Sequence, residues 1–396
     1  MNKPRVAVVT PGSFVVPSPR SSSVERVVYE VTRLLQEQVD CHVYGIRAGG
    51  YAANENIGGV HYIRVPRSKR NGYMRAVNNR IRRQRYDLIQ VDNRPRHARF
   101  LKRKHPRTPV WLFLHSLNFV NKPHIGRKEL ASCFRHADRI LVNSSFLLER
   151  MAERFPAIRS KLRVNYLGVN QEQFMSRWSE EGERFRENML ARLGLQNRKI
   201  ILYVGRLIKS KGIHHLLEAM PDIVKQEPEA MLLIVGGAYY GSRKTTAYAR
   251  QLHRLGRKMP EHVRFVPYVP YNQIANWFRI ADVTVVPSSQ REAFGLVNVE
   301  AMASGIPVIA TYAGGMKEII DHENTGYLVP LQRLQEELAD KIVKVIGNDE
   351  LQRNMGEQAM QRVESTFTWR HTADRWMKHF CEQTGAVFAD PGGPCL

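Results

Sequence analysis

Cysteine is scarce in this sequence, and long apolar runs are missing. The four cysteines lie far apart without a Cys-x-x-Cys pair, which argues against a disulfide scaffold or a zinc site and suits a reducing compartment. The apolar run after the basic start ends at Thr10, too short for a signal-peptide core or a membrane span. We therefore expect a cytoplasmic protein.

Signature motifs of several enzyme classes are missing as well. The sequence has no P-loop and no Gly-x-Gly-x-x-Gly, Gly-x-Ser-x-Gly or His-Glu-x-x-His motif. This weakens interpretations as an ATPase, dehydrogenase, serine hydrolase or zinc protease. No Asp-x-Asp pair is present, so a metal-held diphosphate has no obvious ligands. We predict no metal ligands and expect basic side chains to neutralise any bound diphosphate.

Acidic residues are few in the first half of the chain. Residues 1–175 hold 32 Lys and Arg against 12 Asp and Glu, so 20 of the net +23 charges fall there. The stretch 64–107 contains only Asp87 and Asp92 as acidic residues. It could attract an acidic membrane or an anionic polymer, or simply be a solvated face. Nucleic acid is the weakest candidate, because no nucleic-acid-binding motif accompanies the charge.

The chain of 396 residues is longer than one hydrophobic core usually serves, so we expect two domains. In both halves, short runs rich in Val, Ile and Leu alternate with helical patterns, which is typical of parallel sheets covered by helices. We predict an α/β protein with two Rossmann-like domains and a crevice outside the carboxyl ends of the strands. The predicted strands are RVAVVT, DCHVYGI, HYIRV, DLIQV, PVWLFLH and RILVNSS, then KIILYVG, AMLLIVG, HVRFVPY, VTVVPS, PVIAT and GYLVP.

The predicted boundaries follow from shifts in composition. We place the first domain at residues 1–171 and a charged linker with its own helical pattern at 172–198. The second domain covers residues 199–366. A helical segment at 367–385 and a tail at 386–396 follow.

Two cations lie where a strand gives way to a helix. Arg206 and Lys211 follow a strand that ends at Gly205 and precede an amphipathic helix. A helix N-terminus carries unpaired N–H groups and partial positive charge, so two cations beside it can make a diphosphate site. Alternatively, both are surface residues of an ordinary loop. Charge alone does not decide between Lys211 and Lys209.

Two glutamates flank a Phe-Gly-Leu turn in the stretch REAFGLVNVE. Glu300 is expected in the first two turns of a short helix, and Glu292 in the loop before it. A carboxylate fixed by a helix can accept hydrogen bonds from both hydroxyls of a ribose, and Glu292 could reach a neighbouring sugar. The alternative is that Glu300 stabilises its helix start and Glu292 faces water.

The first half offers weaker candidates. Ser22 and Glu25 form a Ser-x-x-Glu capping box at the start of a helix, which is a complete structural reason for both. The functional alternative is that this helix start faces phosphates across the crevice. His115 stands at the end of PVWLFLH, where a side chain can enter the crevice, although a lone His there is more often structural.

Together these motifs resemble a known family. Arg206 with Lys211, the Glu292–Glu300 pair in an E-x7-E arrangement, GGMKEII and GYLVP look like the retaining glycosyltransferases of the GT-B fold, specifically family 4. The resemblance spans essentially the whole chain and is closer in the second half. More narrowly, DLIQVDNRPRH and SRWSEEGERFRENMLARLGL are similar to the SA-type spore coat proteins of endospore-forming bacteria.

The resemblance implies a role for each second-half candidate. Arg206 and Lys211, next to Gly205, would hold the diphosphate of a nucleotide-sugar donor, and Glu300 its ribose. Glu292 would contact the donor sugar. The phosphate side would be lined by the backbone of Phe294, Gly295 and Leu296.

The resemblance also implies roles in the first half. His115 would approach the donor sugar, and the helical segment 367–385 would cross back onto the first domain. The family commonly has two glycines where Ser22 and Ser23 stand in this sequence. Each serine adds a side chain where close approach to the phosphates favours none, although a hydroxyl could donate to a phosphate instead.

The implied activity is transfer of a hexose, with retained anomeric configuration, to a glycan, lipid or coat acceptor. The donor would be a UDP-sugar, and no metal or other cofactor is expected. Two alternatives stay open, a structural spore coat protein with this fold but little or no catalysis and a nucleotide-sugar epimerase. The basic first domain suggests an anionic acceptor, contact with an acidic membrane surface, or deposition in the spore coat.

Overall fold

The computed structural model describes residues 3–18, 22–66, 72–239, 244–289 and 292–385, and the predicted tail 386–396 lies outside these ranges. The chain divides into two compact units. The first unit is Met1–Leu167 together with Trp369–Leu396, and the second is Gly168–Thr368. Among the described helices, none combines the length and apolarity that a membrane crossing requires.

The first unit is built on an eight-stranded sheet in the order β3-β4-β2-β1-β5-β6-β7-β8. Neighbouring strands are parallel except at the edge, where β3 runs antiparallel to β4. The strands β5, β6 and β7 are wholly buried, as expected for a parallel sheet covered on both faces. The eight strands are β1 (Arg5–Val9), β2 (Asp40–Ile46), β3 (Asn54–Ile57), β4 (Val60–Val65), β5 (Leu88–Asp92), β6 (Val110–Leu114), β7 (Arg139–Val142) and β8 (Leu162–Val164).

In the described part of this unit, five helices connect these strands, and the first shows why the sequence favours them. Its valines recur every three or four residues, so they share one face and are buried against the sheet. The helices are α1 (Ser23–Leu35), α2 (Gly72–Ile81), α3 (Pro95–Lys104), α4 (Arg127–His136) and α5 (Ser145–Arg154).

The second unit has a six-stranded, all-parallel sheet in the order β11-β10-β9-β12-β13-β14. Its strands are β9 (Lys199–Val204), β10 (Ala230–Val235), β11 (Val263–Val266), β12 (Val283–Val286), β13 (Val308–Thr311) and β14 (Gly326–Val329). Its helices are α6 (Glu180–Leu193), α7 (Ile213–Gln226), α8 (Ala247–Gly256), α9 (Tyr271–Phe278), α10 (Leu296–Ala303), α11 (Met316–Ile319), α12 (Leu334–Ile346) and α13 (Asp349–Thr366).

The segment 172–198, which we treat as a linker from its composition, lies within the second unit. Buried Arg177 forms an ion pair of 3.0 Å with Asp282, and Arg186 donates to both oxygens of the same carboxylate at 3.0 and 2.9 Å. The Trp178 indole donates to the Gly305 carbonyl at 2.8 Å. These bonds anchor the segment to the second unit, which begins at Gly168.

The last described helix, α14 (Trp369–Thr384), belongs to the first unit. The buried Trp376 indole donates to the Gln90 side chain at 2.6 Å, and its ring packs against Trp111 with ring centroids 5.4 Å apart. The Arg139 guanidinium donates to the His379 carbonyl at 2.6 Å. The chain therefore returns to its first unit after completing the second, as we expect of the segment 367–385.

Candidate functional site

The predicted residues of the second half gather at the carboxyl edge of the second sheet. Gly205 and Arg206 follow β9, and the loop that carries Glu292 follows β12, the neighbour of β9. Backbone bonds join the two connections, since the Ser289 N–H donates to the Ser210 carbonyl at 2.9 Å. In open parallel sheets this edge is where ligands bind.

A glycine allows the connection after β9 to pack closely against the connection after β12. Gly212 lies between the 3-10 turn Lys209–Lys211 and α7 and has a φ of +69°. A Cβ atom at this position would lie 1.8 Å from the Pro287 carbonyl oxygen, so no other residue fits without movement of the backbone. Gly212 also provides no side-chain cap for α7, and the N–H group of His215 in the first turn donates to the Gly212 carbonyl at 2.9 Å.

Lys211 and Glu292 form an ion pair, and the Glu292 side chain is only 18% exposed. Burial alone would raise the pKa of Glu292. The Lys211 ammonium, the Ser288 hydroxyl and the Arg206 charge outweigh that effect and hold the pKa below its ordinary value. The carboxylate is therefore ionised at neutral pH. Lys209 is exposed, so the structure distinguishes the two lysines that charge alone could not.

The glutamate loop is supported by the glycines of GGMKEII. A Cβ atom on Gly314 would lie 2.0 Å from the Glu292 carbonyl oxygen, and the Gly315 N–H donates to that oxygen at 3.1 Å. Phe294 is buried and packs edge-on against Phe367, with ring centroids 6.1 Å apart. These contacts fix the backbone that carries Glu292.

Glu300 lies in the helix that follows the Glu292 loop, and its environment differs from that of Glu292. Gly295, with a φ of +100°, starts α10 at Leu296, and Glu300 lies in the second turn of that helix with its side chain 4% exposed. Glu292 thus projects from a loop into an ion pair, whereas Glu300 is held inside the buried face of a helix. The structure therefore places Glu292 on a loop and Glu300 on a helix, as predicted from the sequence.

The start of α1 in the first unit is a variant of the expected capping box. Ser22 is the N-cap, and its hydroxyl oxygen accepts from the Val24 N–H at 3.3 Å and donates to the Glu25 carboxylate. Ser23 is the first helical residue and is exposed. Glu25 is buried, and burial raises its pKa in spite of the bond from Ser22.

His115 lies at the carboxyl edge of the first sheet in a fixed position. Its Nε2 atom is 2.8 Å from Oδ1 of Asp92, a fully buried residue that ends β5. The backbone N–H of His115 donates to the Asn93 side-chain oxygen at 3.3 Å. The Asn143 side-chain amide donates to the backbone carbonyl of His115 at 3.1 Å. The imidazole and the backbone of this residue are therefore both held by neighbours.

Sequence reasoning missed Asp92 as a functional candidate, counting it only as an acidic residue in a basic stretch. A usable signal was present, because Asp92 directly follows one predicted strand and His115 ends the next one. The strands β5 and β6 are parallel neighbours, so their carboxyl ends meet. Arg94 joins the same edge, with its guanidinium 3.3 Å from the Ser13 hydroxyl and 3.6 Å above the ring of Phe119.

Comparison with family models covers most of the chain. Residues 24–173 match the model of Glycosyltransferase Family 4, and residues 185–362 match the model of Glycosyl transferases group 1. The two matches fall on the first and second units respectively, apart from a few residues at the junction.

Two relatives from Bacillus subtilis (strain 168) match over nearly their whole length. Spore coat protein SA is 31% identical over 370 residues, which is 93% of this chain and 97% of that protein. Putative glycosyltransferase YtcC is 30% identical over 374 residues, which is 94% of this chain and 90% of that protein.

Solved structures share the architecture at lower identity. Sucrose-phosphate synthase from Thermosynechococcus elongatus superposes with a TM-score of 0.78 at 23% identity, covering 97% of this chain and 100% of that one. Anabaena HepE in complex with UDP gives a TM-score of 0.77 at 19% identity, covering 96% and 100%. With its two parallel-sheet units, the chain has the GT-B fold and belongs to the glycosyltransferases that carry family 4 and group 1 domains.

Proposed function

We propose that the protein transfers a hexose from a nucleoside diphosphate sugar to a carbohydrate, lipid or coat acceptor with retention of the anomeric configuration. The observation that carries this proposal is the Lys211–Glu292 ion pair, with the Arg206 charge beside it, at the carboxyl edge of the second sheet. These groups supply both signs of charge that a donor needs, cations for its diphosphate and a carboxylate for its sugar.

The diphosphate is proposed to bind between Arg206, Lys211 and the start of α7. At an effective dielectric constant near 20, each close cation–phosphate pair is worth roughly 4 kcal/mol before desolvation is subtracted. The uncapped N–H groups of α7 add partial positive charge. We propose that the two cations and the helix start hold the diphosphate without a metal.

Glu292 is proposed to contact the transferred sugar, and Glu300 the ribose. Because the pKa of Glu292 is lowered, its carboxylate accepts hydrogen bonds from sugar hydroxyls and does not act as a general acid. A donor phosphate would compete with this carboxylate for Lys211. Donor binding would therefore release Glu292 from part of its ion pair toward the sugar.

The chemical step is proposed to rest on stabilising the leaving diphosphate while the acceptor attacks from the same face. An ordinary double displacement would need a protein nucleophile beside the anomeric carbon, whereas the role proposed for Glu292 is to accept hydrogen bonds from the sugar hydroxyls. That His115 contacts the donor sugar stays a prediction, and Asp92 is the group that would hold its ring.

UDP is the first donor nucleotide to test, because HepE from Anabaena has been crystallised with UDP and with UDP-glucose. The experiment is the thermal unfolding midpoint with UDP, GDP and ADP, for the wild type, Arg206→Ala and Lys211→Ala. At about a hundred times the dissociation constant a specific ligand adds roughly 2.7 kcal/mol, which raises the midpoint by several degrees.

Lys209→Ala is the matched control, because it removes an exposed lysine from the same turn. We expect one nucleotide to raise the midpoint of the wild type and of Lys209→Ala, and both site variants to lose the shift. Equal shifts in all four proteins would refute the assignment of Arg206 and Lys211.

A second candidate is a spore coat protein that keeps the fold without turnover. The relative named Spore coat protein SA favours it, as do Ser22 and Ser23 where the family commonly has glycines. Release of UDP from UDP-sugars, measured with and without added sugar acceptors, separates the two candidates. Detectable transfer excludes the inactive coat protein, whereas nucleotide binding without any turnover supports it.

A further inference from the structure

Three potential metal ligands share one face of the first sheet at its amino edge. Asp40 begins β2, and His42 lies two residues further, so both side chains point to the same face. His61 on β4 is the register partner of His42. The backbone pairing of two parallel strands therefore brings a carboxylate and two imidazoles together.

The ligand atoms of these three side chains converge. Nε2 of His42 lies 3.1 Å from Oδ1 of Asp40, and Nε2 of His61 lies 3.8 Å from the same oxygen. One potential ligand atom from each residue falls within 4.8 Å of the other two. Ligands at about 2.1 Å from a tetrahedral Zn²⁺ are roughly 3.4 Å apart, and the two distances to Oδ1 of Asp40 lie on either side of that value.

The surrounding groups orient two of the ligands. Nδ1 of His42 is 2.8 Å from the Tyr86 hydroxyl, which leaves Nε2 directed at Asp40. The Arg5 guanidinium donates to Oδ2 of Asp40 at 2.7 Å, which leaves Oδ1 for the imidazoles. Metal-binding histidines usually have such a partner on the second ring nitrogen.

We propose that Asp40, His42 and His61 bind a divalent transition-metal cation of the zinc type. Two imidazoles and a carboxylate are ligands that Zn²⁺ accepts, and three protein ligands leave a fourth position for water or for a group from a second molecule. The cysteine spacing excludes only a thiolate site and has no bearing on this one. Within the described ranges, no other group of three such side chains comes this close.

The site would join β2 to β4 near the edge of the sheet. It opens into a surface trough of about 390 Å³ that is also lined by Glu55 and Gln84, so a cation can reach it from solvent. Asp92 and His115 lie at the opposite, carboxyl edge of the same sheet. A cation bound there would therefore not depend on the proposed transferase activity.

The test is zinc uptake by the tag-free, metal-stripped full chain, measured by competition with a chromophoric chelator. We expect one Zn²⁺ per chain, and His42→Gln and His61→Gln to weaken the affinity at least tenfold. His124→Gln is the matched control, because His124 is also exposed and lies in the first unit outside the site. Its affinity should equal that of the wild type.

Cobalt provides a second readout of the same site. Co²⁺ should give the visible absorption of a four- or five-coordinate nitrogen and oxygen site, without a thiolate charge-transfer band, and His61→Gln should lose it. Thermal unfolding of each metal-free variant checks that its fold is intact. No stoichiometric uptake by the wild type, or equal affinity of His61→Gln and His124→Gln, would overturn the proposal.

Discussion

The pairing of Lys211 with Glu292 places opposite charges in a partly buried setting, and that makes stability depend on pH. The pKa of Glu292 is lowered in the folded protein, so the unfolded chain takes up its proton first as the pH falls. The stabilisation from the pair is therefore complete above the ordinary pKa of a glutamate. It is lost as the pH falls through the folded-state value.

Lys211→Met tests this coupling. The variant leaves a buried carboxylate without its cation, and we expect it to lower the free energy of unfolding by about 1–3 kcal/mol at pH 7. The difference from wild type should shrink as the pH falls through the lowered folded-state pKa of Glu292, because below it the carboxylate is protonated in both proteins. Urea denaturation at several pH values measures this difference in the free energy of unfolding. Lys209→Met is the control, because Lys209 is exposed. A difference that does not change with pH would contradict the coupling.

Part of this site can be predicted from the sequence, because the sequence gives the charge of each side chain and the positions of the strands. Arg206 and Glu292 follow apolar runs that are recognisable as strands, and the structure brings them to one sheet edge. The choice of Lys211 over Lys209 depends on the Gly212 turn, whose shape composition does not reveal. Asp92 was missed because its contact with His115 depends on which strands are neighbours.

At the scale of elements, buried strands were predictable and polar or very short ones were not. All twelve predicted strands are present, because each contains several apolar residues within a few positions, and most of them are buried in a covered sheet. The edge strand β3 has the sequence NENI with three exposed residues, and β8 has only three residues. The sequence NENI carries no apolar pattern and LRV is too short to show one, so pairing with a neighbour is what makes them strands.

The turn between β9 and α7 is the element on which the proposed diphosphate site depends. Gly212→Ala would place a methyl group against the Pro287 carbonyl and also strain a backbone with positive φ. Gly194→Ala is the matched control in the same unit, because its φ is +64° and no heavy atom lies within 4 Å of the added carbon. The control isolates backbone strain, about 1 kcal/mol, from the steric clash.

We expect Gly212→Ala to cost about 1–3 kcal/mol more than Gly194→Ala in urea denaturation, because the neighbouring connection must move. That movement displaces Lys211, so Gly212→Ala should also lose the nucleotide-induced rise in unfolding midpoint. Gly194→Ala should retain it. Equal stability of the two variants would show that the turn tolerates the side chain.

At the scale of the whole molecule, the two halves differ in charge. Nearly all of the net +23 lies in residues 1–175, and the exposed arginines around the end of α2 contribute strongly. The second unit carries exposed arginines on α8 as well, but acidic residues elsewhere in the second half nearly balance its charge. A charge-driven contact with an acidic surface should therefore involve the first unit.

Membrane contact by the first unit is a proposal, and vesicles containing phosphatidylserine test it. Each basic residue near an anionic surface contributes about 1 kcal/mol. We therefore expect replacement of Arg80, Arg82 and Arg83 by Gln to weaken vesicle binding at least tenfold. The matched triple variant replaces the exposed Arg250 and Arg254 of α8 and the exposed Arg257 at its C-cap, and should bind like wild type.

Salt separates an electrostatic contact from an apolar one. Because the Debye length falls from about 10 Å at 0.1 M salt to about 3 Å at 1 M, wild-type binding should be largely lost at high salt. Binding that persists at 1 M salt, or that weakens equally in both triple variants, would exclude a specific basic surface on the first unit. The excess charge would then serve solubility, because a solvated basic face needs no partner to keep chains apart.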